Sequence, residues 1–260
     1  MKKASYLILP AVFFFAVQVM AQAPTQYLSS EPSQNKTMKA EQTDVYSPVP
    51  KIITPGKAYG DAPSDAIILF NGKNLDQWES GQGGPAEWTV AAGAVTVKPG
   101  TGVIQTKQSF GSCQLHIEWR TPSPAHGEGQ DRGNSGIFLQ SQYELQVLDS
   151  YNNKTYVNGQ AGSIYKDTPP MVNVCRPPGE WQTYDIFYTA PVFNEDGSVK
   201  SPAYETVVQN GVLVQNHVAI KGKTLNAGIH YYEKHGPLPL MLQDHGHLVS
   251  YRNIWIRPLP

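Results

Sequence analysis

From residue 65 onward the chain alternates apolar and polar residues in short runs broken by Gly, Pro, Asn and Asp. That period of two predicts strands, because successive side chains of a strand point to opposite faces. The runs fall at 66–70, 88–97, 102–106, 114–120, 136–140, 143–148, 181–189, 204–209, 212–220, 238–243 and 248–256. Asn71-Gly72 and Asn210-Gly211 supply tight turns, the second inside a hairpin. No window of a dozen residues carries the apolar stripe of an amphipathic helix, and residues 74–79 suffice for a single turn. About ten strands at this spacing predict an all-β fold, an antiparallel sandwich or jelly roll.

Each run also states what its two faces meet. In 114–120, Leu115, Ile117 and Trp119 share one face, and His116, Glu118 and Arg120 share the other. Tyr143, Leu145 and Val147 oppose Glu144, Gln146 and Leu148, while Ile137 and Leu139 oppose Phe138 and Gln140. Three neighbouring runs therefore predict one apolar layer backed by His, Glu and Gln. The plain reading of that backing is a solvated surface. Its acids, bases and amides, with few lysines, favour a polyol-binding groove.

Composition changes this picture at the N-terminus. Lys2 and Lys3 precede an apolar run over 6–20, followed by the small residues Ala21 and Ala23. This is the pattern of a secretory signal peptide over 1–21, too short and too interrupted by Pro10 to read as a membrane span. A periplasmic or secreted protein is expected, with no membrane contact after signal cleavage; a retained anchor is the alternative. Residues 22–60 are polar and Pro-containing and read as a flexible linker, leaving 61–260 as one domain. A net charge of −1 gives no electrostatic footprint for nucleic acid. Cys113 and Cys175 read as structural, as two separate thiols or as one disulfide.

The loop 127–136 (GEGQDRGNSG) brings four glycines together with Glu128, Asp131, Arg132, Asn134 and Ser135. It lacks the GK[ST] signature and following helix of a phosphate loop, so its use would be to aim Arg132 and Asn134 into a groove. Gln243-Asp244-His245-Gly246-His247 forms a second cluster. His245 and His247 would share a face if extended, a pair that a divalent cation can use if Asp244 or a distant Glu completes it. A His acting as base or donor, held by Asp244 or Gln243, is the simpler reading. No cofactor is assigned. Tyr143, Tyr165, Tyr184 and Tyr231 are candidates for a stacking platform under a sugar ring.

Taken together, ILFNGKNLDQW at 68–78, LHIEWRTP at 115–122, GNSGIFLQ at 133–140, YELQVLDS at 143–150, GEWQTYDI at 179–186 and HGHLVSYRNIWIRPL at 245–259 resemble the 3-keto-disaccharide hydrolase domain family, also described as the 3-keto-β-glucopyranoside-1,2-lyase/glucanase domain. The resemblance implies a concanavalin-like jelly roll of two curved antiparallel sheets with a carbohydrate groove on the concave face. It also implies cleavage of glycosides oxidised at C3. A C3 ketone acidifies the C2 proton, so a base at C2 lets the enolate expel the C1 substituent, and water addition completes net hydrolysis. His245 or Glu144 is then the expected base and Glu118 the acid or orienting carboxylate. Arg132, Asn134 and Gln146 are expected to hold the ketone and hydroxyls, with His116 and Gln243 as further substrate contacts. One competing reading is a conventional glycoside hydrolase, which needs two carboxylates. The run Glu144…Gln146…Asp149 resembles the E-x-D-x-x-E strand of laminarinase-like enzymes, with an amide where an acid is needed, and Glu118 across from Glu144 is the remaining pair. The other competitor is a non-catalytic carbohydrate-binding module.

Overall fold

The computed structural model describes residues 39–260. The signal-peptide expectation over 1–21 and the linker up to residue 38 lie outside the described residues. Two compact units are distinguished, Met1–Lys51 and Ile52–Pro260. The described part of the first is exposed throughout and holds one 3-10 turn, Ala40–Thr43. Among the described residues no helix is long and apolar enough to cross a membrane.

The second unit is an all-β sandwich. Its strands are β1 (Ile67–Phe70), β2 (Trp78–Ser80), β3 (Thr89–Ala91), β4 (Ala94–Thr96), β5 (Ile104–Phe110), β6 (Cys113–Arg120), β7 (Ser135–Leu139), β8 (Tyr143–Val147), β9 (Gln182–Thr189), β10 (Val192–Phe193), β11 (Val199–Ser201), β12 (Tyr204–Gln209), β13 (Val212–Ala219), β14 (Leu238–Leu242) and β15 (Ser250–Pro258). One sheet of eight runs β13-β12-β9-β6-β15-β4-β3, with β1 also on β15; a sheet of five runs β2-β5-β14-β7-β8. β10 and β11 form a separate ribbon. Every pairing is antiparallel.

Alternation decides what fills the space between the sheets. Leu115, Ile117 and Trp119 of β6, Tyr184, Ile186 and Tyr188 of β9, and Ile254 and Ile256 of β15 are buried from one side. Ile137, Leu139, Tyr143, Leu145 and Val147 are buried from the other. A bulge in β15 between Arg252 and Trp255, with Asn253 at φ 45°, resets the phase so that Ile254 and Ile256 still face inward. Tyr143 and Tyr184, considered above as sugar platforms, belong to this core.

Two expectations change on contact with the fold. The run 88–97 is two strands folded at Ala92-Gly93, both with positive φ, rather than one. Residues 74–79 give no helical turn but lead into β2. The compact second unit starts at Ile52. Gly60, at φ 86°, passes close over the eight-stranded sheet, and its carbonyl accepts from Asn253 Nδ2 (2.9 Å) and Trp255 Nε1 (2.8 Å). Tyr59 donates to Asp185 Oδ2 at 2.6 Å. Cys113 and Cys175 are both free thiols.

Candidate active site

A cleft of about 370 Å³ opens on the outer face of the five-stranded sheet. Its floor is Phe138 of β7 with Glu144 and Gln146 of β8, the residues whose neighbours along each strand point into the core. Asn134 lies just before β7; Gln243 and His245 follow β14; Tyr165, Thr224 and Asn226 complete the wall. Five residues expected to act together thus converge here: Asn134, Glu144, Gln146, Gln243 and His245.

Glu144 is 4% exposed, and its side chain makes no hydrogen bond among the described residues. Its backbone is pinned on both sides, by Thr224 Oγ1 accepting from its N–H (2.9 Å) and by Tyr165 N–H donating to its carbonyl (3.0 Å). Phe138 sits opposite Glu144 in the register and Gly136 opposite Gln146, and a Cβ on Gly136 would overlap Glu144 Oε1 and the Phe138 ring. Burial, with no cation or donor to offset it, pushes the Glu144 carboxyl up to about 8. At neutral pH it is predominantly protonated.

The amides around it are oriented by the loop before β7. Gln146 Nε2 donates to Gln130 Oε1 (3.1 Å) and to the Gly159 carbonyl (3.3 Å). A carbonyl can only accept, so this fixes which end of the amide is nitrogen and leaves Gln146 Oε1 buried without a partner. Asn134 Nδ2 donates to the Gln130 carbonyl at 2.8 Å. Gln243 also leaves its Oε1 unpartnered. Its main chain is held by Gln243 N–H donating to the Gly136 carbonyl (2.9 Å) and by Ser135 Oγ donating to the Gln243 carbonyl (2.6 Å). Buried acceptors left open in a cleft fit a ligand rich in hydroxyl donors.

His245 is solvent-exposed at the rim, its ring stacked on His247 at 5.8 Å between centroids. Asp244 does not hold it. The Asp244 carboxylate accepts from the N–H groups of Gly100 (2.8 Å), Gly102 (3.0 Å) and Gly246 (2.9 Å), and so shapes the loop. His247 instead approaches Asp131 at 3.3 Å. Among the described residues no group of three or more His, Cys, Asp or Glu is arranged to hold a metal ion.

Three expected site residues lie elsewhere. β6 pairs with β9 and β15, so its polar face looks out on the opposite side of the sandwich from the cleft. There His116 Nδ1 meets Asp185 Oδ1 at 2.7 Å, and its ring stacks on Trp255. Burial works against its charge, but Asp185 and Glu118 outweigh burial and carry the imidazole up to about 9. Glu118 is opposed by burial too, yet His116, Asn253 and Arg252 (Nε at 2.6 Å) bring its carboxyl down to about 2. Glu118 and His116 therefore do not line the cleft and are tied into an ion-pair network on the other sheet. Arg132 donates from Nε to Asp149 (2.7 Å) and from Nη2 to the Tyr151 carbonyl (3.0 Å), holding the loop instead of lining the cleft. Gln140 also departs from its expected face: at φ 49° it turns inward and accepts from Tyr188 Oη at 2.7 Å.

Thr224, Asn226 and Gln130 were not expected. The first two lie in a stretch with no strand period; Gln130 sits in the glycine loop that drew attention to Arg132 instead. Of the tyrosines, Tyr165 alone among those proposed lines the cleft.

No curated protein matches this chain. A crystal structure of a protein from Parabacteroides distasonis ATCC 8503, provisionally described as a glycosyl hydrolase, is 55% identical, covers 85% of this chain and 97% of its own, and has a TM-score of 0.82. Two further crystal structures from the same organism, described in the same words, are 21% and 22% identical and cover 75% of this chain and 94% and 99% of theirs. Their TM-scores of 0.57 and 0.51 show a shared fold alone. The family model of the 3-keto-alpha-glucoside-1,2-lyase-like domain matches residues 65–257, the segment that carries both sheets and the cleft. The chain belongs to the 3-keto-alpha-glucoside-1,2-lyase-like domain family, a family of carbohydrate-active domains.

Proposed function

We propose that this protein is an exported enzyme, periplasmic or secreted, that cleaves 3-keto-glycosides by elimination across C1 and C2 followed by hydration. One observation carries the reading. Among the residues lining the cleft there is one carboxyl, Glu144, buried and unpartnered, and one imidazole, His245. Hydrolysis at an unactivated glycoside needs two carboxylates, about 5–5.5 Å apart for retention or 6.5–9.5 Å for inversion. Gln146 is an amide, Asp149 is held by Arg132, and Glu118 is on the other sheet. An elimination needs only one base and one acid, provided the substrate supplies the acidity.

In this scheme His245 takes the C2 proton, and the electron pair moves onto the C3 oxygen as an enolate. The enolate reforms the ketone and the C1=C2 double bond, breaking the bond from C1 to the glycosidic oxygen. Glu144, protonated at neutral pH, delivers its proton to that leaving oxygen. The products are an alcohol and a 2-hydroxy-3-keto-glycal. In the second half Glu144, now a carboxylate, takes a proton from water as its oxygen adds to C1, and the exposed His245 imidazolium, its proton exchanged with solvent, delivers a solvent proton to C2. Both groups end as they began. Asn134, Gln146 and Gln243 present carbonyl oxygens to the sugar hydroxyls.

Incubation with a methyl glucoside and with its 3-keto form separates the alternatives. The 3-keto form alone is expected to be cleaved, with Glu144→Gln and His245→Ala each reducing turnover by ~100-fold or more. Cleavage of both sugars would favour a conventional hydrolase, and binding without cleavage a carbohydrate-binding module.

A further inference from the structure

Strand order, taken with the roles proposed for His245 and Glu144, places the leaving group on one side of the cleft. Across the sheet, β14 carries Gln243 and His245 at its end, β7 follows with Phe138, and β8 follows with Glu144. Beyond β8 the chain adds one more bridged segment. Ile164 bridges Leu145, and Tyr165 N–H donates to the Glu144 carbonyl, so Tyr165 lies one further strand spacing out, about 4.8 Å. The order is therefore His245, Glu144, Tyr165.

If His245 acts at C2 and Glu144 at the glycosidic oxygen, the glycone spans the interval over β7, and the aglycone lies past Glu144. That ground is aromatic. Tyr165 Oη and Tyr156 Oη share a hydrogen bond of 2.7 Å, and Tyr165 also reaches Asn226 Oδ1 at 3.4 Å, which holds the ring in place. Tyr156 folds over Gly159 so closely that a Cβ there would overlap its ring. Lys166 Nζ rests over the Tyr156 ring, 3.8 Å from its centroid, and Tyr156 remains 38% exposed. Lys166 covers one face of Tyr156, and the part of this hydrogen-bonded pair that stays open is preorganised for contact with a ring.

We infer that Tyr165 and Tyr156 form the aglycone subsite and select leaving groups that carry a ring, a second sugar or an aromatic alcohol, over small alkyl ones. This rests on the elimination reading for the placement of the leaving group, but ring binding is measurable without turnover. Methyl and phenyl glucosides of both anomers, unoxidised, serve as the binding probes, and their 3-keto forms as substrates. The wild type is expected to bind the phenyl glucoside about tenfold more tightly than the methyl one. Tyr156→Ala should remove most of that ratio, and Gly159→Ala should do the same by displacing the ring. Phe187→Ala, on the opposite sheet, should leave it intact. In turnover, Tyr156→Ala should lower kcat/KM for the phenyl substrate about tenfold more than for the methyl one. Equal losses for both aglycones, or no ring preference in the wild type, overturns the subsite. A ring preference that survives in binding, alongside failure to turn over any 3-keto-glucoside, supports the subsite and overturns the elimination reading alone.

Discussion

The proton on Glu144 connects stability to catalysis. Its carboxyl titrates near 8 instead of the ordinary 4.5 because it is buried without a partner. As the acid that protonates the leaving oxygen, it makes kcat/KM for a 3-keto-glucoside fall as pH rises through about 8, and a pH–rate profile reads this directly. Glu205 is a second such group. It faces the core from β12 with Oε1 unpartnered, and burial pushes it up to about 8 as well. In both cases the folded state holds a proton that the unfolded chain releases near 4.5. Their stabilising neutral form is therefore fully favoured below 4.5, and stability declines from there until pH passes about 8. Glu205→Gln removes one part of the decline without touching the cleft. Denaturant unfolding at pH 5 and pH 9 should show it gaining a few kcal/mol relative to wild type at the higher pH, with kcat/KM unchanged.

Pairs of neighbouring elements set the cleft's geometry. Gly136 on β7 leaves the space that Glu144 on β8 occupies, so Gly136→Ala must displace either the carboxyl or the Phe138 ring. At least a tenfold loss in kcat/KM is expected, with circular dichroism unchanged. Gln130 works through Gln146 and Asn134 without lining the cleft itself. Gln130→Ala should raise KM about tenfold and leave kcat nearly intact, since it frees the substrate-binding Gln146 amide, keeps Asn134 on the main-chain carbonyl and alters neither acid nor base. This scale also marks how far the sequence could be read. Strand positions and the inward residues of β6, β7 and β8 followed from a local alternation. Which strand pairs with which did not, because β6 and β7 are successive in the chain but belong to different sheets, and long-range pairing alone decides that. For that reason Glu118 and His116 were grouped with Glu144, although they stand on the other sheet. Ala92 hid a hairpin because alanine carries no turn signal, and Thr224 and Asn226 reach the cleft from a stretch without any period.

The whole molecule separates its two polar faces. On the face opposite the cleft, His116, Asp185, Glu118, Arg252 and Tyr59 tie the segment entering the domain at Ile52 to the eight-stranded sheet. His116 titrates near 9, above its ordinary 6.5, so the stability it contributes is fully present below pH 6.5 and is lost as pH rises through about 9. His116→Ala leaves two carboxylates short of a partner and should cost about 3 kcal/mol in denaturant unfolding at pH 6. Turnover of 3-keto-glucosides should stay within about twofold of wild type. A large loss of activity in a still-folded variant would mean that this face takes part in the chemistry. The account of the cleft meets its most direct test in deuterium oxide. A 3-keto-glucoside turned over there and followed by NMR should yield a hydrated product carrying deuterium at C2, beyond any exchange seen without enzyme. Product that retains its original hydrogen at C2 would show that the glycosidic bond broke without elimination, and would contradict the mechanism.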